Sequence, residues 1–134
     1  METTGTQTSP ILSVLIIEDQ ADIATSLRMY LELAAGHKVI VALDGEAGVA
    51  AAINNSPDVV VCDIGLPKKN GFEVAREISR MACKPLLIAC TAYCDEAMKE
   101  KGKAAGFDYY LCKPADPIQI VQMLDAHKKK LMAS

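Results

Sequence analysis

Residues 58–74 read DVVVCDIGLPKKNGFEV, and their order decides the architecture. Val59-Val60-Val61-Cys62 is continuously apolar instead of alternating, the pattern of a strand covered on both faces of a sheet. The run ends on Asp63 and enters a loop carrying Gly65 and Pro67. Asn70, followed three positions later by Glu73, then marks a capped helix start, with Phe72, Ala75 and Ile78 on the buried face. Together these residues make one strand–loop–helix unit with a carboxylate at the carboxyl end of its strand.

Outward from this unit the pattern repeats. Apolar runs at 12–17, 38–43, 85–90 and 108–112 join the one at 58–62, and helix-period segments lie at about 21–35, 45–55, 71–81, 95–105 and 117–131. Five strand–helix units predict an α/β fold, a doubly wound parallel sheet with helices on both faces. The first helix would bury Ile23, Leu27, Tyr30, Leu31 and Ala34 and stop at Gly36. The last opens on Asp116-Pro117 and would bury Ile120, Val121, Leu124 and Leu131, with Lys128, Lys129 and Lys130 in its final turn, favourable against the helix dipole.

A chain of 134 residues suits one domain, read here as residues 11–134 behind a polar, disordered arm at 1–10 without the features of a secretion signal. Hydrophobic residues make up 51% of the chain, ample for a core that needs no disulfide. A net charge of −3 argues against nucleic acid as a partner, and no apolar stretch is long enough to span a membrane. The five cysteines lack metal-type spacing and read as free thiols in a reducing cytoplasm. Cys62, Cys90 and Cys112 each end an apolar run. On adjacent strands they would form a row about 4.8 Å apart, open to a soft metal or to oxidation.

Ligands of open α/β sheets bind beyond the carboxyl ends of the strands. That edge collects Glu18 and Asp19 after Val14-Leu15-Ile16-Ile17, Asp63, Thr91 after Leu86–Cys90, and Lys113 after Tyr109–Cys112. Two carboxylates about 4 Å apart repel by about 4 kcal/mol at an effective dielectric of about 20. A hard divalent cation, Mg2+ (or Mn2+), resolves this through Glu18, Asp19 and Asp63, with the Gly65 main-chain carbonyl as a further oxygen. Asp63, ending the run expected at the middle of the sheet, is the candidate nucleophile toward phosphorus, with Thr91 and Lys113 contacting the phosphoryl oxygens. Each residue also has a plainer role: Glu18-Asp19 as a helix cap, Asp63 as a turn former, Thr91 as an N-cap and Lys113 as a solvated charge.

VLIIED at 14–19, DVVVCDIGLPKKNGFEV at 58–74, LLIACTAY at 86–93 and AGFDYYLCKP at 105–114 together resemble the receiver domain of two-component response regulators. The likeness runs from about Ile11 to Leu131. It implies strand order 2-1-3-4-5 with five surrounding helices. It implies that Asp63 is the phosphoacceptor, charged by a histidine kinase or a histidine phosphotransfer protein, and that Glu18, Asp19, Asp63 and the Gly65 carbonyl hold the metal. Thr91 and Lys113 would contact the phosphoryl group, Thr91 and Tyr110 would form the switch, and Lys113-Pro114 would be a cis peptide. A downstream protein would dock on the face made by the fourth helix, fifth strand and fifth helix. Such a chain is a cytoplasmic phosphoacceptor that catalyses its own phosphorylation and dephosphorylation.

With no output segment after the fifth helix, a stand-alone regulator, a phosphate shuttle and an excised module of a hybrid kinase are all compatible with the pattern. Two other classes compete: a Mg2+-dependent phosphatase with an Asp nucleophile, and a pseudo-receiver that only binds partners. The first wants a second Asp where Gly65 stands, and the second would normally lack the acceptor or the Lys. Gly65 also leaves open space beside the acceptor, and Tyr93 is bulky enough to cover it.

Overall fold

The computed structural model describes residues 11–133, so the N-terminal arm expected at 1–10 lies outside the described residues. In chain order the elements are β1 (Ser13–Ile17), α1 (Ala21–Leu33), β2 (Lys38–Ala42), α2 (Gly45–Asn55), β3 (Val59–Cys62), α3 (Gly71–Ser79), β4 (Leu86–Thr91), α4 (Glu96–Ala105), β5 (Tyr109–Cys112) and α5 (Pro117–Ala133). The strands form one parallel sheet, as the repeating units predict, in the order 2-1-3-4-5 that the resemblance implies.

Register positions the site. Ile17 is paired with Cys62 across β1 and β3, so the residues that follow, Glu18 and Asp63, leave the sheet side by side. Cys62 is paired with Ala89, and Thr91 with Cys112, which sets β4 and β5 beside the same edge.

Because side chains alternate along a strand, the continuous apolar runs feed two cores. Leu15, Ile17, Val60, Cys62, Leu87 and Ala89 face α2, α3 and α4, meeting Ala52, Phe72, Ala75 and Ile78. Val14, Ile16, Val59, Val61 and Ile88 face α1 and α5, meeting Ala24, Leu31, Ile120 and Leu124. The predicted capping box is present: Glu73 N–H donates to Asn70 Oδ1 (3.0 Å) and Asn70 N–H to Glu73 Oε1 (3.2 Å). Gly36, at φ +73°, ends α1 as its N–H donates to Glu32 O and His37 N–H donates to Leu31 O.

Two helix faces differ from the sequence expectation. In α1 the buried stripe centres on Ala24 and Leu31, while Ile23 is 41% exposed and Ala34 lies past the helix end. Ile23 borders a groove against the segment after β5 instead of the sheet. In α5 the stripe runs Ile120, Leu124, Lys128 at four-residue spacing and leaves Leu131 exposed. The Lys128 stem is long and apolar enough to continue that stripe, its ammonium 3.5 Å from Asp125.

Candidate functional site

Glu18 and Asp63 are fixed by backbone before any side chain acts. Glu18 N–H donates to Ala42 O (3.0 Å), and Asp63 N–H donates to Ile17 O (3.0 Å), which carries the sheet one residue past β1 and β3. The Glu18 side chain is buried, and its Oε2 accepts from Gln20 N–H at 3.1 Å. Asp19 is exposed. One carboxylate oxygen from each of Glu18, Asp19 and Asp63 lies within 4.8 Å of the others. Gln20 takes the N-cap position of α1 and no side chain caps that helix, so the acidic pair is not serving as a cap. Asp63 does hold its own turn, Oδ1 accepting from Ile64 N–H at 2.6 Å, while Oδ2 turns to a cation.

That cation is Lys113. Its Nζ donates to Glu18 Oε1 at 2.7 Å and to Asp63 Oδ2 at 3.0 Å, spanning from the end of β5 to the ends of β1 and β3. Burial works against the ammonium, but the hydrogen bonds it donates to Glu18 and Asp63 prevail and raise its pKa. The solvated-charge reading of Lys113 therefore does not hold. The Lys113–Pro114 peptide is cis. Three carboxylates against one ammonium leave two formal negative charges, and Lys113 answers Glu18 and Asp63 but not Asp19. An all-oxygen cluster with uncompensated charge fits a hard divalent cation such as Mg2+.

The β4–β5 side is built differently. Thr91 is fully buried, and its Oγ1 accepts from Tyr93 N–H at 3.2 Å. The cap of α4 is Asp95, whose Oδ1 accepts from Met98 N–H at 2.8 Å, so Thr91 is not an N-cap. The Tyr110 hydroxyl donates to Tyr93 O at 2.6 Å. Its ring stands edge-on to Phe107, centroids 6.5 Å apart, and lies over Gly102 of α4, where a Cβ would meet its Cδ2 at 2.6 Å. Burial, then Asp95 and Asp63, push the phenol pKa up. Gly65 is exposed, and a Cβ there would sit 3.0 Å from Tyr93 Cε2, so the Tyr93 ring occupies the space beside it.

The cysteine expectations are corrected here. Cys94 and Cys112 are joined as a disulfide with Cα atoms 5.8 Å apart, so these two are not free, and Cys112 is exposed instead of buried. There is no row of Cys62, Cys90 and Cys112. Cys62 packs in the core facing α2–α4, Cys90 packs toward α1 and α5, and the register pairs Cys62 with Ala89 and Cys90 with Leu111. Burial raises the thiol pKa at Cys62 and at Cys90, to about 11 at Cys90, where Lys113 works against it. The Cys94–Cys112 contact has no sequence motif. Its one signal is alternation: Cys112 lies two residues past Tyr110 and so shares its face.

Beside Lys113 an apolar groove of about 670 Å³ opens between Ile23, Leu27 and Tyr30 of α1 and the Pro114–Pro117 segment.

The family described as the response regulator receiver domain matches residues 14–125. The alkaline phosphatase synthesis transcriptional regulatory protein PhoP of Bacillus subtilis is 34% identical over 107 residues, 80% of this chain and 44% of that protein. The transcriptional regulatory protein ResD of the same organism is 32% identical over 84% of this chain and 46% of its own length. The chain thus spans about half the length of these curated relatives. The chemotaxis response regulator CheY4 of Vibrio cholerae has the same fold, with a TM-score of 0.80 and 26% identity over 88% of this chain and 99% of that one.

Proposed function

This chain belongs to the response regulator receiver family, and on that premise we propose that Asp63 accepts a phosphoryl group from a phosphohistidine on a histidine kinase or histidine phosphotransfer protein. An Asp63 carboxylate oxygen attacks phosphorus, the P–N bond breaks, and the imidazole leaves as an acyl phosphate forms. One observation carries the reading: Lys113 Nζ bridges Glu18 and Asp63 at 2.7 and 3.0 Å at the carboxyl edge of the sheet. Phosphoryl transfer depends chiefly on positioning and on neutralising charge. Lys113 would exchange its Asp63 contact for a phosphoryl oxygen. Thr91 would donate its hydroxyl to another once it releases Tyr93 N–H.

Glu18, Asp19, Asp63 and the Gly65 carbonyl would hold Mg2+ (or Mn2+), which when bound supplies a further positive charge for the phosphoryl oxygens. Thr91 and Tyr110 would act as the switch, since both hold the Tyr93 backbone. Its output would be a changed α4–β5–α5 face offered to a downstream protein in the cytoplasm. Hydrolysis of the acyl phosphate by the same site would reset it. A phosphatase reading gains no support, because Gly65 offers no acid–base group two residues past Asp63.

The test is incubation with Mg2+ and acetyl phosphate followed by intact mass. We expect one added phosphoryl group, lost completely in Asp63→Asn. Sustained turnover of phosphate esters, or an adduct that survives in Asp63→Asn, would overturn the assignment.

A further inference from the structure

The segment between β4 and α4, Ala92 to Asp95, is held to its surroundings by three ties. Tyr93 N–H donates to Thr91 Oγ1 at 3.2 Å, Tyr110 donates its hydroxyl to Tyr93 O at 2.6 Å, and Cys94 is bonded to Cys112. The first two break and re-form with small motions. The third does not, and it sits beside Thr91 and Lys113. Cys112 is the register partner of Thr91 and the residue before Lys113, whose N–H donates to Thr91 O at 2.8 Å. Cys94 Sγ lies 3.3 Å from that same carbonyl oxygen.

We propose that Cys94 and Cys112 are a reversible redox modification site, a clamp that uncouples the acceptor from its output when oxidised. The Cα separation of 5.8 Å falls inside the span that a disulfide bridges without backbone movement, roughly 4.4–6.8 Å. Cys112 is exposed and Cys94 half-buried, so a low-molecular-weight disulfide can reach the pair, whereas Cys62 is sealed in the core. In the oxidising step the thiolate of one cysteine attacks a sulfur of the small disulfide, forming a mixed disulfide and releasing one small thiol. The thiolate of the other then displaces the second small thiol. The protein loses two protons and two electrons, and the small disulfide is reduced to two thiols. An excess of a dithiol reverses both steps.

With the bond closed, Cys94 stays tied to β5, and the backbone holding Thr91 on Tyr93 N–H cannot withdraw. Glu18, Asp19, Asp63 and Lys113 are untouched, so phosphorylation of Asp63 continues while α4 ceases to respond. The clamp itself rests only on the cysteine geometry, and its effect on output rests on the acceptor reading above.

The test uses the whole chain. After incubation with glutathione disulfide at neutral pH and denaturation, peptide mapping by mass should find Cys94 linked to Cys112, whereas after dithiothreitol both should be alkylated by iodoacetamide; the exposed thiol of Cys83 takes up glutathione on its own and is not counted. Absence of the Cys94–Cys112 linkage after the oxidant would overturn the proposal. Hydrogen exchange across residues 92–105 should be slower in the oxidised chain, and Cys112→Ser should keep the faster rate whatever the oxidant. Equal rates in the two redox states, or slowing that persists in Cys112→Ser, would also overturn it. With acetyl phosphate, the exchange change in 92–105 should be seen in the reduced chain and lost in the oxidised one. A full response in the oxidised chain refutes uncoupling. No phosphoryl adduct in either state would instead strike the acceptor reading, leaving the exchange rates of the unphosphorylated chain to judge the clamp.

Discussion

At the ends of β1 and β3 the site is made of charge held on paired backbone: Glu18 and Asp63 each extend the sheet by one hydrogen bond, and their carboxylates converge with Asp19. At the ends of β4 and β5 it is made of side chains that hold a loop: Thr91 and Tyr110 on Tyr93, and Cys112 on Cys94. The first region can change its chemistry but hardly its shape. The second carries little charge and several contacts that open without disturbing the core. Lys113 joins them, rooted in β5 and reaching the acids of β1 and β3. On the proposed reading, this division would let phosphorylation of Asp63 be felt in α4 without unsettling the sheet.

The sharpest way to break the comparison is to remove the link. Lys113→Ala leaves the carboxylates without their ammonium and the phosphoryl oxygens without a preorganised donor, a type of loss that typically costs about a hundredfold or more in rate. We expect that drop in acetyl phosphate incorporation by intact mass, with a cooperative urea transition retained. A drop of only a few-fold would mean that the acidic region works alone.

The two regions also differ in how they should tolerate added volume. A Cβ at Gly71 would fall 2.4 Å from Asp63 O and 2.7 Å from Ile64 Cα, both backbone. Gly71→Ala should therefore cost about 1–3 kcal/mol in urea denaturation and displace Asp63. At Gly102 the clash is with the Tyr110 ring, 2.6 Å away, and that ring is half-buried and can shift. Helix propensity also favours Ala there, by up to about 1 kcal/mol. Gly102→Ala should be the cheaper change of the two, and the reverse order would contradict the rigid-against-yielding contrast.

The same contrast explains what was legible in the sequence. The parallel sheet, the capping box and the convergence of Glu18, Asp63 and Lys113 follow from features read along the chain: apolar runs, turn residues and the chemistry at each run's end. The strand order came from the family resemblance. The cysteine pairing follows from register and face. Cys62, Cys90 and Cys112 look alike as run-terminal residues, yet β4 extends two residues past the partner of Cys62 and the pleat sends Cys62 and Cys90 to opposite cores. Helix faces failed for a related reason. Ile23 and Leu131 are apolar at permitted spacing, but the stripes centre on Ala24–Leu31 and on Ile120–Leu124–Lys128, and a lysine stem completing a core stripe has no apolar letter to announce it.

Tyr110→Phe should sharpen the comparison within the β4–β5 region. It keeps the ring on Phe107 and Gly102 and removes only the hydroxyl bonded to Tyr93 O. The expected loss is about 0.5–1.5 kcal/mol by denaturation, the net worth of one hydrogen bond. Exchange at residues 92–95 should quicken in the reduced chain and stay slow in the oxidised one. Equal quickening in both would show that the tyrosine, not the disulfide, controls the segment.

The smallest effect on stability is expected where the two regions touch, at Gly65→Ala. The new Cβ would stand 3.0 Å from Tyr93 Cε2, but Tyr93 is 53% exposed and free to swing outward, so denaturation should move by no more than about 0.5 kcal/mol. The informative readout is the lifetime of the acyl phosphate. If the Tyr93 ring shields the phosphoryl group, displacing it admits water and the adduct decays faster, by an amount that the thermal cost of the mutation does not foretell. If decay is unchanged in Gly65→Ala and also in Tyr93→Ala, the ring has no shielding role and the loop acts only through its backbone.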